Sequence, residues 1–170
     1  LADVPDASVA TVAADLSTAE GAETLTRACP EVDVLVNNVG VFEARPFEQI
    51  TDADWLRLFE TNVMSGVRLS RAYLPKMLAR GWGRIVFVSS ESAVQIPTEM
   101  IHYGMTKTAQ LAVARGLAEL TTGTRVTVNA VLPGPTLSEG GGRFVADLGR
   151  AKGLDPAAAE REFFTHARPT

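Results

Sequence analysis

Four short apolar runs, separated by longer stretches of helical periodicity, constrain this chain more than any other feature. S-V-A-T-V-A-A-D at 8–15, V-D-V-L-V at 32–36, R-I-V-F-V-S at 84–89 and R-V-T-V-N-A-V at 125–131 read as strands. V-D-V-L-V suits a strand covered on both faces. After the first run, Ser17 and Glu20 form an S-x-x-E capping box, Ala19, Ala22 and Leu25 follow at helical spacing, and Pro30 stops the helix. Thr51-x-x-Asp54 opens a second helix that runs to about Arg80, where Gly81 and Gly83 end it. Leu56, Phe59, Val63, Val67, Leu74 and Met77 line one of its sides, and Trp55, Leu58 and Leu69 suggest that a second side is covered as well. A third helix spans Tyr103 to about Leu120. Gly104, Ala109, Ala112, Ala114 and Gly116 make it small-sided, so another backbone can approach it. The tail holds a Gly140-Gly141-Gly142 loop and two short helices, near 143–151 and 156–166. Strand and helix in strict alternation predict an α/β domain with a parallel sheet and right-handed crossovers.

In such sheets ligands bind beyond the carboxyl ends of the strands. The polar punctuation sits there: Asp15, Asn37-Asn38-Val39-Gly40, Ser89-Ser90 and Pro133-Gly134 each follow a strand. The stretch from Ser90 to Lys107 is the richest in chemistry. Tyr103 and Lys107 are four residues apart, which on a helix places phenol and ammonium on one face. At ~5 Å and an effective dielectric near 20, the ammonium favours the phenolate by roughly 3 kcal/mol, about two pK units. A tyrosine so tuned can serve as acid or base for a hydroxyl or carbonyl. Ser90 can donate to the same oxygen. Asn62 falls mid-helix among apolar neighbours, so its amide either holds a water or kinks the backbone. Glu91, Glu99, Met100 and His102 flank these residues and read as solvated loop positions.

Composition removes several alternatives. The 170 residues suit one domain with a respectable core. A net charge of −4, without a Lys/Arg cluster, argues against a nucleic-acid surface. Cys29 is the single cysteine, which fits a reducing, cytoplasmic compartment. With it, the isolated His102 and His166 make no familiar metal-ligand spacing. No apolar run approaches the ~18 residues a membrane helix requires.

From about Asp15 to Ser138 the chain resembles the short-chain dehydrogenase/reductase family. N-N-V-G at 37–40 is similar to the family's N-N-A-G, and Ser90, Tyr103, Lys107 and Asn62 match its catalytic set. The resemblance implies a Rossmann-like, doubly wound parallel sheet in a three-layer αβα arrangement. It implies hydride transfer between NAD or NADP and a small-molecule carbonyl or secondary alcohol, with no metal. Tyr103 would exchange the proton, Ser90 would polarise the oxygen, and Lys107 would tune the phenol and hold the ribose hydroxyls. Asn62 would link Lys107 to solvent through a water. Asp15 would meet the adenine amino group, Asn37 and Gly40 the adenosine side, and Pro133, Gly134, Thr136 and Ser138 the nicotinamide carboxamide; Ser138 stands where a threonine is usual. Each residue also has a plainer reading: Asp15 as a helix cap, Asn37 and Gly40 as an ordinary turn, Asn62 as a structural amide. The family is commonly a homodimer or homotetramer built on its two long helices.

The family opens with a strand and a T-G-x-x-x-G-x-G phosphate turn, and neither occurs before Asp15. The closing strand expected after the tail is also missing. The expectation is therefore a single domain over 1–170, incomplete at both ends, in which the strand at 8–15 does not pair with that at 32–36. Two alternatives stay open: a non-catalytic binding or scaffold relative, and a lyase or epimerase on a related architecture.

Overall fold

The computed structural model describes residues 8–135, 142, 145–147, 149–150 and 152–167. It divides into two compact units, Leu1–Leu132 and Pro133–Thr170.

The first unit is built on three parallel strands, β1 (Val34–Asn37), β2 (Gly83–Val88) and β3 (Val126–Val131), in the order β1-β2-β3. Asn37 lies opposite Phe87, and Val88 opposite Val131, so the carboxyl ends of the strands are level. Four helices accompany them: α1 (Ala19–Ala28), α2 (Asp52–Phe59), α3 (Ser65–Arg80) and α4 (Ile101–Leu120). Period-two alternation directs Leu35, Ile85, Phe87, Val126 and Val128 into one core with Leu69, Tyr73, Leu74 and Met77 of α3, Ala114 of α4 and Ala22 of α1. Ile85 and Phe87 are wholly buried, and each such side chain contributes about 1.5–3 kcal/mol of hydrophobic stabilisation. Tyr73 Oη, Lys76 Nζ and Arg80 Nη2 donate to the carbonyls of Cys29, Pro30 and Val32, strapping α3 to the chain entering β1. Gly81, at φ 72°, ends α3 in a left-handed cap, with Trp82 N–H bonded to Met77 O and Gly81 N–H to Leu78 O.

Several boundaries differ from the expectation. Residues 8–15 form no strand; nothing in the sheet pairs with them, and extended backbone without a partner makes no ladder. β1 is covered on one face only. Val34 and Val36, on the other face, are 51% and 54% exposed. The helix expected over 51–80 is broken by a π turn at Glu60–Met64. Thr51 caps α2 as anticipated, in a reciprocal capping box with Asp54. At α1 the cap shifts by one residue. The Asp15 carboxylate takes both the N–H and the hydroxyl of Ser17, leaving Thr18 Oγ1 to accept from Gly21 N–H.

In the second unit, Asp155 caps α5 (Pro156–Glu162) through Ala158 N–H, and a π turn follows at Phe163–Ala167. Gly149 lies against Ala159 of α5, where a Cβ would meet Ala159 Cβ at 2.2 Å. The helix expected near 143–151 falls partly outside the described residues. Among the described residues, no helix is long and apolar enough to cross a membrane.

Candidate active site

The first unit assembles its polar side chains where β1 and β2 end. Helix α4 opens at Ile101, two residues before the expected start, and this sets Tyr103 in its first turn rather than at its tip. Ser90 leaves β2 extended; its Oγ accepts from Ser92 N–H at 3.1 Å, and its hydroxyl is near enough to the Tyr103 phenol to act on its pKa. Two contacts hold these segments together. Ser89 N–H donates to Val131 O while its hydroxyl donates to Lys107 O at 2.8 Å, fixing α4 to the strand ends. Gly104 admits the loop after Ser90 against α4, for a Cβ there would meet Ile96 Cγ2 at 2.7 Å and Ser92 O at 3.1 Å.

Lys107 is 5% exposed and donates from Nζ to Val88 O at 2.9 Å and to Gln110 Oε1 at 3.2 Å. Its ammonium lies 5.6 Å from the Tyr103 ring centroid. Burial pushes the lysine down to about 8. The phenol does not follow the simple Coulomb argument: burial raises its pKa, and the nearby Ser90 hydroxyl offsets only part of that. The Lys107 charge is spent on two carbonyl oxygens rather than on the phenol oxygen. Tyr103 is therefore held protonated near neutral pH.

Asn62 is wholly buried in the π turn. Protein atoms satisfy its amide: Oδ1 accepts from Val41 N–H at 2.8 Å, and Nδ2 donates to Val41 O at 2.9 Å and Thr106 Oγ1 at 3.0 Å. The expected distortion of the backbone is present, for the helix widens there and the Asn62 carbonyl accepts from Gln110 Nε2 at 2.6 Å. The paired bonds to Val41 hold the segment after Gly40 and bring the Phe42 ring edge-on to Tyr103 at 6.0 Å. Gly40 itself stands beside the lysine; a Cβ there would be 3.5 Å from Lys107 Nζ and 3.6 Å from Asn62 Oδ1.

The remaining candidates take other places. Asn37 is buried, donates to Ser70 Oγ of α3 at 3.3 Å, and leaves Oδ1 buried without a partner. The bonds of Asp15 are local, and those from Ser17 hold its carboxyl below the usual carboxylate range. Pro133 and Gly134 belong to the second unit, and Thr136 and Ser138 lie outside the described residues. Two residues expected in solvated loops are buried: Met100, and His102, whose ring lies wholly buried and edge-on to Trp55 at 5.9 Å. Met100 closes a 3-10 turn at Thr98–Met100 and His102 lies in the first turn of α4, so neither belongs to an open loop. Of three further residues in the site, sequence reasoning met Ser89 only as a polar residue after its strand and passed over Thr106 and Gln110. The signal for two of them was present, since Tyr103, Thr106, Lys107 and Gln110 follow one another at helical spacing on a single face.

A protein-family model described as short chain dehydrogenase matches residues 2–148. The chain belongs to the short-chain dehydrogenase/reductase family. It is 49% identical to the uncharacterized oxidoreductase YvaG of Bacillus subtilis over 156 residues, which cover 92% of this chain and 59% of that one. To YvrD of the same organism it is 46% identical over 161 residues, 93% of this chain and 61% of that one. The chain thus spans about three fifths of the length of these curated relatives. Among solved structures, L-sorbose reductase from Gluconobacter frateurii, complexed with NADPH and L-sorbose, superposes with a TM-score of 0.78 at 31% identity, covering 86% of this chain and 57% of that one. A Beutenbergia cavernae protein with bound NADP gives the same TM-score and identity over 93% of this chain and 70% of that one. The sheet and helices described above are therefore a segment of the Rossmann-type fold of the short-chain dehydrogenases and reductases, as the alternation of strand and helix predicts.

Proposed function

We propose that the full-length protein is an oxidoreductase that transfers a hydride between NAD or NADP and a carbonyl or secondary alcohol of a small molecule. The observation that carries this reading is the placement of the Tyr103 phenol beside the Lys107 ammonium, with the Ser90 hydroxyl near enough to act on the phenol. The donor set suits a nicotinamide dinucleotide: Lys107 Nζ and Tyr103 Oη can bind ribose hydroxyls, and Gly40 leaves room beside Lys107 for a ligand to approach. Asp15 and the Asn37–Gly40 turn would take the adenosine side, with Pro133, Gly134, Thr136 and Ser138 at the carboxamide. The bound cofactor would supply or accept the hydride. Ser90 orients the substrate oxygen, and Tyr103 gives it a proton in reduction or removes one in oxidation. Phe42 packs against the phenol and keeps its ring in one orientation. We place the protein in the cytoplasm, acting as a homodimer or homotetramer, with the 170 residues forming part of one catalytic domain.

Tyr103→Phe tests this directly. In the full-length protein it should lower turnover, followed by nicotinamide absorbance, by about 10²–10⁴-fold. Cofactor binding, measured by fluorescence titration, should weaken far less, because Lys107 still holds the ribose hydroxyls. A phenylalanine variant that turns over at the wild-type rate would remove Tyr103 from the reaction, and absence of cofactor binding by the wild type would remove the dehydrogenase reading altogether.

A further inference from the structure

The side chain of Gln110 is 1% exposed and uses both ends of its amide inside the site. Nε2 donates to the Asn62 carbonyl at 2.6 Å, and Oε1 accepts from Lys107 Nζ at 3.2 Å. Only one orientation of the amide is possible here. A carbonyl oxygen can only accept, so the nitrogen must face Asn62, and the oxygen is then obliged to face the lysine. The π turn at Glu60–Met64 departs from the regular helix ladder at the residue whose carbonyl receives the amide. Val88 O supplies a second acceptor to the same ammonium. Lys107 Nζ thus sits between two oxygens that accept and offer it nothing to accept from, contacts that favour the ammonium and oppose the burial that lowers its pKa.

We propose that Gln110 is a positioning residue of the active site, which uses the Asn62 carbonyl as an anchor to hold its own oxygen on Lys107 and so keep that lysine protonated and in place. The groups facing Lys107 leave this task to dipoles. The titratable side chain against it is Tyr103 of α4, itself held neutral. β2 presents the Val88 carbonyl, the turn after β1 presents the backbone of Gly40, and the π turn presents the neutral amide of Asn62. A carboxamide neither gains nor loses a proton near neutrality. Gln110 therefore holds the lysine without passing protons on to Asn62.

The catalytic consequence rests on the function proposed above for Lys107, but the hold on the lysine can be measured without turnover. In the full-length protein, the Cε carbon resonance of Lys107 is titrated by NMR in the wild type, in Gln110→Met and in Gln110→Glu. Methionine keeps the volume and removes the acceptor, so the lysine midpoint should fall by about one pK unit. Glutamate keeps an acceptor and adds charge, so the midpoint should rise. The alkaline limb of the turnover profile should move the same way in each variant, with cofactor KM changed less than kcat. A merely structural role would lower stability without shifting the lysine in opposite directions. If Gln110→Met fails to fold, a raised midpoint in Gln110→Glu carries the test. An unshifted Lys107 in a folded variant overturns the proposal. A shifted lysine with an unmoved turnover profile upholds the grip of Gln110 and removes Lys107 from the reaction, so the two readings fail separately.

Discussion

His102 precedes the candidate acid by one residue yet has an environment of a different kind. It is wholly buried against Trp55, and neither ring nitrogen has a hydrogen-bond partner. Burial lowers its pKa below the usual value; Glu43 and Asp54 push the other way, and Arg45 and Arg57 add to the depression. The unfolded chain then takes up the proton first as pH falls through about 6.5. Over the window between that value and the lower folded one, His102 costs about 1.4 kcal/mol of stability for each pH unit. Above the window it costs nothing through charge. His102→Phe should therefore lose less stability than the wild type between pH 7.5 and 5.5, measured by urea unfolding at each pH. Equal losses in the two proteins would mean that His102 is protonated as readily when folded as when unfolded. At this scale a sequence is hardest to read. The spacing of Tyr103 and Lys107 located the pair, but whether burial or charge governs the phenol depends on atoms contributed by Val88 and Gln110. Gln110 is one turn further along the same helix, but Val88 is 19 residues away, and only the fold brings its carbonyl to Lys107.

Glycines on the helices separate two kinds of element contact. Gly66 of α3 faces the sheet, and a Cβ there would lie 2.7 Å from Phe87 Cε1 and 3.3 Å from Asn37 Cγ. Both neighbours are buried and have no space to withdraw. Gly21 of α1 is tighter still, with the Asp15 carbonyl oxygen 1.9 Å from the position of a Cβ. Gly116 of α4 meets nothing. Gly→Ala in a helix gains up to about 1 kcal/mol from propensity, whereas overpacking costs about 1–3 kcal/mol. Gly66→Ala and Gly21→Ala should thus destabilise, and Gly116→Ala should stabilise, in thermal unfolding of the same protein. A stabilised Gly66→Ala would show that α3 stands off the sheet. The elements themselves were largely legible. V-D-V-L-V, R-I-V-F-V-S and R-V-T-V-N-A-V give β1, β2 and β3 to within two residues, since short apolar runs bounded by polar residues carry their own signal. The run at 8–15 carries the same pattern and forms no strand, because a strand exists only through its partner. The π turn left no mark in the periodicity either. At its centre Asn62 is hydrogen-bonded to Val41, Thr106 and Gln110, none of them local.

At the scale of the molecule, α4 presents two different sides. Gly104 and Ala114, two of the small residues expected to admit another backbone, are buried within the unit. Thr108, Ala112, Gly116 and Leu120 instead recur every four residues on the outside, and Leu120 is 67% exposed. Such a strip allows close approach of a second helix, and a twofold pairing of α4 with its copy would bury it. Leu56 of α2, 65% exposed, is a further apolar side chain left outside the unit. We therefore expect the full-length protein to be larger than a monomer by sedimentation velocity at micromolar concentration. Gly116→Arg tests the surface with little disturbance of the fold, since among the described residues a Cβ there meets nothing within 4 Å and arginine is a good helix former. The variant should keep its circular dichroism and thermal midpoint while its sedimentation coefficient falls to that of a monomer or smaller assembly, because two facing guanidinium groups would have to be buried in the pairing. A wild-type monomer would end the expectation of self-association. An unchanged assembly in Gly116→Arg would move the interface off α4.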